Sequence, residues 1–268
     1  MILVTTAGKV GLAAAHSLAH AGVAARVLVR DSAAPTAVAL RVRGVDAVAG
    51  DLDDRPSVDR ALRGVDGVIL VSPAVESQEI GVVDAARDAG VSHIVKITSM
   101  SSADSPIARR RSQFAIEQAL VTSGVGYTLL RGNAYMQNLF MLAPAIAGRG
   151  EFGSSAALGR IGMVDARDVG EVAAVIARMP QDHAGQTYAL SGPETISYAD
   201  AAVELSRVLG RHVGFVPLTF EEEVEGMVAA GLPRPVARMN AQAIQLFAEG
   251  DSDWLSSDVE RLLGRPPR

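Results

Sequence analysis

Cysteine is absent from this chain. No disulfide, thiolate nucleophile or cysteine-based metal site can form, which suits a cytoplasmic protein. Lysine is nearly absent too: Lys9 and Lys96 are the only two, although arginine is abundant. No apolar run reaches the length that spans a bilayer. No basic segment precedes the first apolar residues, so the N-terminus does not read as a signal peptide. An excess of basic charge is also missing. The formal net charge is -5, which argues against nucleic-acid or anionic-membrane binding. What is present is apolar material, 49% of 268 residues. That is enough for one large domain, or one domain with a smaller lobe.

The apolar runs alternate with helical segments. "MILVT", "ARVLVR", "VDAVAGDL", "DGVILVSP", "SHIVKITS" and "GYTLLR" read as six strands. Helix-forming stretches separate them, from "VGLAAAHSLAHAGV" to "SQFAIEQALVTSG". Alternation at this spacing means parallel strands with crossover helices, and near-continuous apolar strands mean a sheet covered on both faces. "GMVDARDVGEVAAVIARM" reads as strand, turn and helix, and "QTYALSG" as another short strand. From "ISYADAAVELSRVLG" onward the chain is mostly helical, with strand-like "HVGFVPL" between helices. The expected fold is α/β: a Rossmann-type doubly wound parallel sheet with a small, mostly helical C-terminal lobe. Residues 1–155 form the dinucleotide-binding domain. Residues 156–268 form the final βα unit and a substrate-pocket lobe, interleaved with the first, whose part from about Ile196 onward is expected to lid the pocket.

Ligands of such sheets sit beyond the carboxyl ends of the strands. The first strand-to-helix turn, "VTTAGKVG", is therefore the place for a pyrophosphate, where helix N–H groups and the positive dipole end converge. Gly8 and Gly11 keep the spacing of the last two glycines of a G-x-x-G-x-x-G turn. Thr5 stands where the first glycine belongs. Threonine tolerates positive φ poorly, so the turn must be tighter or differently shaped. Thr5, Thr6, Gly8, Lys9, Val10 and Gly11 form the expected phosphate cradle, with the threonine hydroxyls and the Lys9 charge making up for the lost glycine. About 20 residues on, the end of the second strand usually carries an acid for a ribose hydroxyl, or a base for a 2′-phosphate. Here it is Arg30, whose planar guanidinium grips phosphate, so NADP(H) is expected over NAD(H). Asp51 and Leu52 follow the third strand, where a carboxylate can accept from an adenine amino group. Val71, Ser72 and Pro73 after the fourth strand and Ser99 after the fifth complete the cofactor set.

These segments, together with "AARDAGVSHIVKITSMSS", "IEQALVTSGVGYTLLRGNAYMQN" and "DARDVGEVAAVIA", resemble the NmrA-like branch of the atypical short-chain dehydrogenases. The nearest flavour is its NAD(P)H:quinone oxidoreductase type 2 group, and the C-terminal segment from "VAAGLPRPVARMN" is similar as well. The resemblance covers nearly the whole chain. It implies dinucleotide binding at the turn and a small pocket under the C-terminal lobe. The chain departs from the family in three places. The first glycine is missing. The frequent "LRPG" stands as "LRGN", Arg131 to Asn133. Gln113 precedes Glu117 where a lysine is frequent.

The usual Tyr-x-x-x-Lys dyad of short-chain dehydrogenases has no counterpart, because none of Tyr127, Tyr135, Tyr188 and Tyr198 has a lysine four residues later. His16 and His20 share a helix face but read as core or surface histidines, and no metal is expected. Glu221 to Glu225 read as an acidic helix start, and Arg109 to Arg111 as solvated helix residues. Asp165, Arg167 and Asp168 read as capping and tying residues. Asn133, Tyr135, Met136, Asn138 and Phe140 mix apolar area with a few polar groups, as small-molecule sites do. They are the expected pocket wall, with Tyr135 the one candidate catalytic group. Three functions follow. The first is an NADPH-dependent oxidoreductase acting on a quinone or similar conjugated, aromatic acceptor, as a monomer or homodimer. The second is a dinucleotide-sensing regulator. The third is a cofactor-independent lyase, isomerase or cyclase on the same fold.

Overall fold

A computed structural model describes all 268 residues. In chain order they form β1 (Ile2–Val4), α1 (Lys9–His20), β2 (Ala25–Val29), α2 (Pro35–Val42), β3 (Asp46–Ala49) and α3 (Arg55–Ala61). There follow β4 (Gly67–Leu70), α4 (Glu76–Asp88), β5 (His93–Thr98), α5 (Ala108–Thr122) and β6 (Gly126–Gly132). A 3-10 segment, Met136–Leu142, leads into α6 (Ala143–Arg149), β7 (Glu151–Ser154) and α7 (Ala166–Arg178). The chain ends with β8 (Thr187–Leu190), α8 (Tyr198–Leu209), β9 (Gly214–Pro217), α9 (Phe220–Ala229), α10 (Arg234–Ala248) and α11 (Asp258–Leu263).

Two compact units result. The first holds Met1–Gly132, Ala166–Leu190 and Ser257–Pro267. Its sheet has seven parallel strands in the order β3-β2-β1-β4-β5-β6-β8. The strands are apolar on both faces because helices cover both. Leu3, Val27, Ile69, Ile94 and Leu130 are all buried. Strand order reverses between β1 and β4, which is the switch point where open α/β sheets hold ligands. Helix α1 lies against α7 at Gly170, where an added Cβ would come within 2.5 Å of the Ala13 Cβ and 2.7 Å of the Val10 carbonyl. Only glycine permits that approach.

The second unit holds Asn133–Asp165, Ser191–Ser256 and Arg268. It is built on a parallel pair, β7 with β9. Phe152 on β7 is buried between the rings of Tyr198 and Phe215. Ser197 with Asp200 and Thr219 with Glu222 form capping boxes that start α8 and α9. Glu225–Arg234 and Glu221–Arg238 ion pairs tie α9 to α10, so the acidic run is a helix start as its composition implies. The strand expected near Gly162–Asp165 is not formed. Those residues make only single bridges, Ile161 with Ile196 and Tyr135 with Val164. No helix is long and apolar enough to cross a membrane.

Candidate dinucleotide site

The turn after β1 contains no left-handed residue. Neither Thr5, Gly8 nor Gly11 has positive φ, and Gly8 is extended at φ -77°, ψ -175°. The two glycines answer to clearance instead. A Cβ on Gly11 would lie 1.9 Å from the Thr6 carbonyl oxygen, so Gly11 lets α1 close onto the turn. A Cβ on Gly8 would meet nothing nearer than Thr6 Oγ1 at 3.8 Å. Gly8 is exposed and sits at the N-cap of α1 with no side chain capping the helix. Its own fold gives it no reason to be glycine. The open space and free helix end at the switch point match what a pyrophosphate needs.

Thr5 shows how the turn manages without its first glycine. Thr5 is buried. Its hydroxyl accepts from the Val71 N–H at 2.9 Å and donates to the Val71 carbonyl at 2.8 Å. Thr6 donates to the same carbonyl at 3.0 Å. The two hydroxyl protons thus stitch the turn after β1 to the end of β4 across the switch point, and do not face outward as expected. Lys9 is exposed and Val10 buried.

Arg30 is exposed at the end of β2. It is the uncommitted arginine there. Arg26 is held by Asp46 and by the Ala61 and Arg63 carbonyls, and Arg41 by the Ser32 and Ala47 carbonyls. Asp51 and Leu52 are half-buried after β3. Asp51 accepts from its neighbour's amide, Asp53 N–H, at 3.0 Å and is bracketed by the Ser57 hydroxyl. Val71 and Ser72 are half-buried, Pro73 is exposed, and Ser99 is half-buried after β5.

Beneath these strand ends lies an ionic group that the sequence reading missed. Lys96 on β5 and Glu79 on α4 both have 0% side-chain exposure, with Lys96 Nζ 2.7 Å from Glu79 Oε2. Lys96 also donates to the Ile97 carbonyl at 2.5 Å. Burial pulls the Lys96 ammonium pKa down, and Glu79 opposes that shift. Glu79 Oε1 accepts the Ser72 hydroxyl at 2.6 Å. Glu117 on α5, also buried, accepts from Thr98 at 2.9 Å, Ser101 at 2.7 Å and Arg131 at 2.6 Å. A lysine inside the apolar strand "HIVKIT" was the available signal, since a parallel strand covered on both faces must pair it.

In the second unit, Asn133 is buried and engaged by its own surroundings. It donates to the Ser252 carbonyl at 3.1 Å and accepts from the Ala134 N–H at 2.8 Å. Tyr135 is half-buried, and burial pushes its phenol up to about 12. Met136 is half-buried, Asn138 exposed, and Phe140 exposed at 74%. His16 is half-buried on α1, where burial lowers its pKa. No group of three or more His, Asp or Glu side chains converges as a metal cluster would. Arg111 donates to the Ser105 carbonyl. Asp165 accepts from Gln137 at 2.8 Å, and buried Asp168 pairs with Arg265 at 2.7 Å.

A parallel sheet reversing at β1/β4, with a glycine-opened helix end beside the reversal, defines a Rossmann-type α/β protein. The model of the NmrA-like family matches residues 1–261, and the chain belongs to that family. It is 35% identical to the NAD(P)H azoreductase of Xenophilus azovorans, covering 100% of this chain and 94% of the relative. It is 39% identical to the (4-alkanoyl-5-oxo-2,5-dihydrofuran-3-yl)methyl phosphate reductase of Streptomyces griseus, with the same coverage. Among solved structures, the NADPH complex of the NADPH-dependent quinone oxidoreductase of Escherichia coli superposes with a TM-score of 0.88. That match is at 28% identity and covers 100% of this chain and 96% of the other.

Proposed function

We propose that the protein is an NAD(P)H-dependent oxidoreductase of the quinone- and azo-reductase type, that it prefers NADPH, and that it reduces quinones or similar conjugated carbonyls. The observation that carries this reading is Gly8, whose missing side chain clears space that nothing in its own fold uses. The reductase relatives support the same class. Backbone N–H groups of Gly8 to Gly11 would hold the pyrophosphate, and Arg30 the 2′-phosphate. Asp51 and Leu52 would meet the adenine, and Val71, Ser72, Pro73 and Ser99 would line the remainder. Bound there, NADPH would supply a hydride.

The chain's own part in the chemistry is modest. No Tyr-x-x-x-Lys pair is available to protonate a simple ketone. Conjugated acceptors need less help, because charge delocalises in the product. Met136 and Phe140 would supply apolar contact to a flat acceptor, and Asn133 and Asn138 would orient it. Tyr135, held protonated by its raised pKa, would donate from its hydroxyl to the oxygen that gains charge. The test is NADPH oxidation by purified protein with a panel of quinones and of aliphatic ketones. Turnover is expected with quinones and not with aliphatic ketones. Equal turnover of both, or none with either, would refute the assignment.

A further inference from the structure

We infer that Lys96 and Glu79 are positioning residues for the dinucleotide, acting from the interior by fixing residues 71–75 between β4 and α4. This role presupposes the NADPH reading above. A fully buried lysine–glutamate pair is a poor way to stabilise a fold, since apolar residues of similar volume commonly do as well or better. This pair has a second connection. Glu79 carries the Lys96 ammonium on Oε2 and takes the Ser72 hydroxyl on Oε1. Ser72 Oγ in turn accepts from the Ala74 N–H at 3.2 Å. Ala74 sits at φ +63°, a left-handed conformation that a residue with a Cβ adopts only when its surroundings impose it. On the other side, both backbone groups of Val71 are bound by the Thr5 hydroxyl. Residues 71, 72 and 74 are therefore set by side chains, in a stretch without helix or strand, directly at the switch point. The interior charge holds the wall of the site in one shape.

The test uses Lys96→Met/Glu79→Leu, which removes both charges together, and Ser72→Ala, which cuts the link alone. The double variant is expected to melt at or above the wild-type temperature. Its NADPH KM should nevertheless rise about five- to tenfold, because only a fraction of molecules keeps the competent loop. The kcat at saturating NADPH should stay within about twofold, since the reacting groups are untouched. Adding Ser72→Ala to the double variant should change NADPH KM no further, the signature of one shared pathway. Wild-type stability together with wild-type NADPH KM would overturn the proposal. Should the double variant fail to fold, hydrogen exchange at the Ala74 amide of ligand-free Ser72→Ala decides. About fivefold or more faster exchange is expected, and unchanged exchange overturns the proposal. Failure of the cofactor reading is separable: there, Gly8→Val would bind NADPH normally whatever the loop does.

Discussion

Gly8 and Gly11 stand three residues apart, yet a side chain would meet opposite conditions at the two positions. At Gly11 the new Cβ would lie 1.9 Å from the Thr6 carbonyl oxygen and 3.3 Å from Val4 Cγ1. The turn or the helix must then move by about 1 Å, a strain that typically costs roughly 1–3 kcal/mol. In a chain of this size that lowers Tm by roughly 2–12 °C. At Gly8 the backbone is extended and the nearest atom is 3.8 Å away, so Gly8→Val should leave Tm within about 3 °C. Binding should respond the other way. A valine at Gly8 fills the phosphate approach, and NADPH affinity should fall by at least about 100-fold, some 2.7 kcal/mol. Gly11→Ala should show its loss of stability first. Thermal melts and fluorescence titration with NADPH on both variants measure each arm. A folded Gly8→Val that binds NADPH within twofold of wild type would refute the reasoning and put the cofactor-independent function first.

Arg30→Ala should weaken NADPH by about 1–2 kcal/mol, roughly 5- to 30-fold, and leave NADH nearly unchanged; equal loss for both would mean Arg30 does not read the 2′-phosphate. Tyr135→Phe should lower kcat with quinones about three- to tenfold while NADPH KM holds, and an unchanged kcat would remove the phenol from the reaction. The third concerns acid stability. Burial first, and His183 second, hold the His93 imidazole below its ordinary 6.5. As pH falls through 6.5 the unfolded chain takes up this proton before the folded one, so stability falls from there until the folded pKa is reached, and is flat above. Tm measured between pH 7.5 and 5.5 should drop less steeply in His93→Gln, and an identical slope would show that His93 contributes nothing.

The strands of the first unit were legible because each is a short apolar run between turn residues, and the sheet order followed from their alternation with helices. Arg30 and the Gly8–Gly11 turn were legible from spacing. The roles of Thr5 and Thr6 were not, because their partner Val71 lies some 66 residues away in sequence. Glu79 and Lys96 escaped for the same reason: each looks like a single polar residue until β5 and α4 bring them together. β7 was invisible, since "EFGS" is four residues with a glycine and a glutamate, and it is fixed by β9 rather than by its own propensity. The residues around Gly162–Asp165 read as a strand from their apolar content, yet offer only single bridges to Ile196 and Tyr135.

The first unit is discontinuous in sequence. Its last strand, β8, borrows Asp258 of α11 to accept from the Ala189 N–H at 2.9 Å, Arg261 lies over the Tyr188 ring, and Arg265 reaches back to Asp168 and Glu171. During synthesis this edge of the sheet therefore stays unfinished until almost the whole chain has left the ribosome. Six strands can assemble early, but the seventh waits with an open edge, the kind of exposure that invites mispairing. A chain stopped before Ser257 would keep every residue of the phosphate turn and still lack the clasp that closes its sheet.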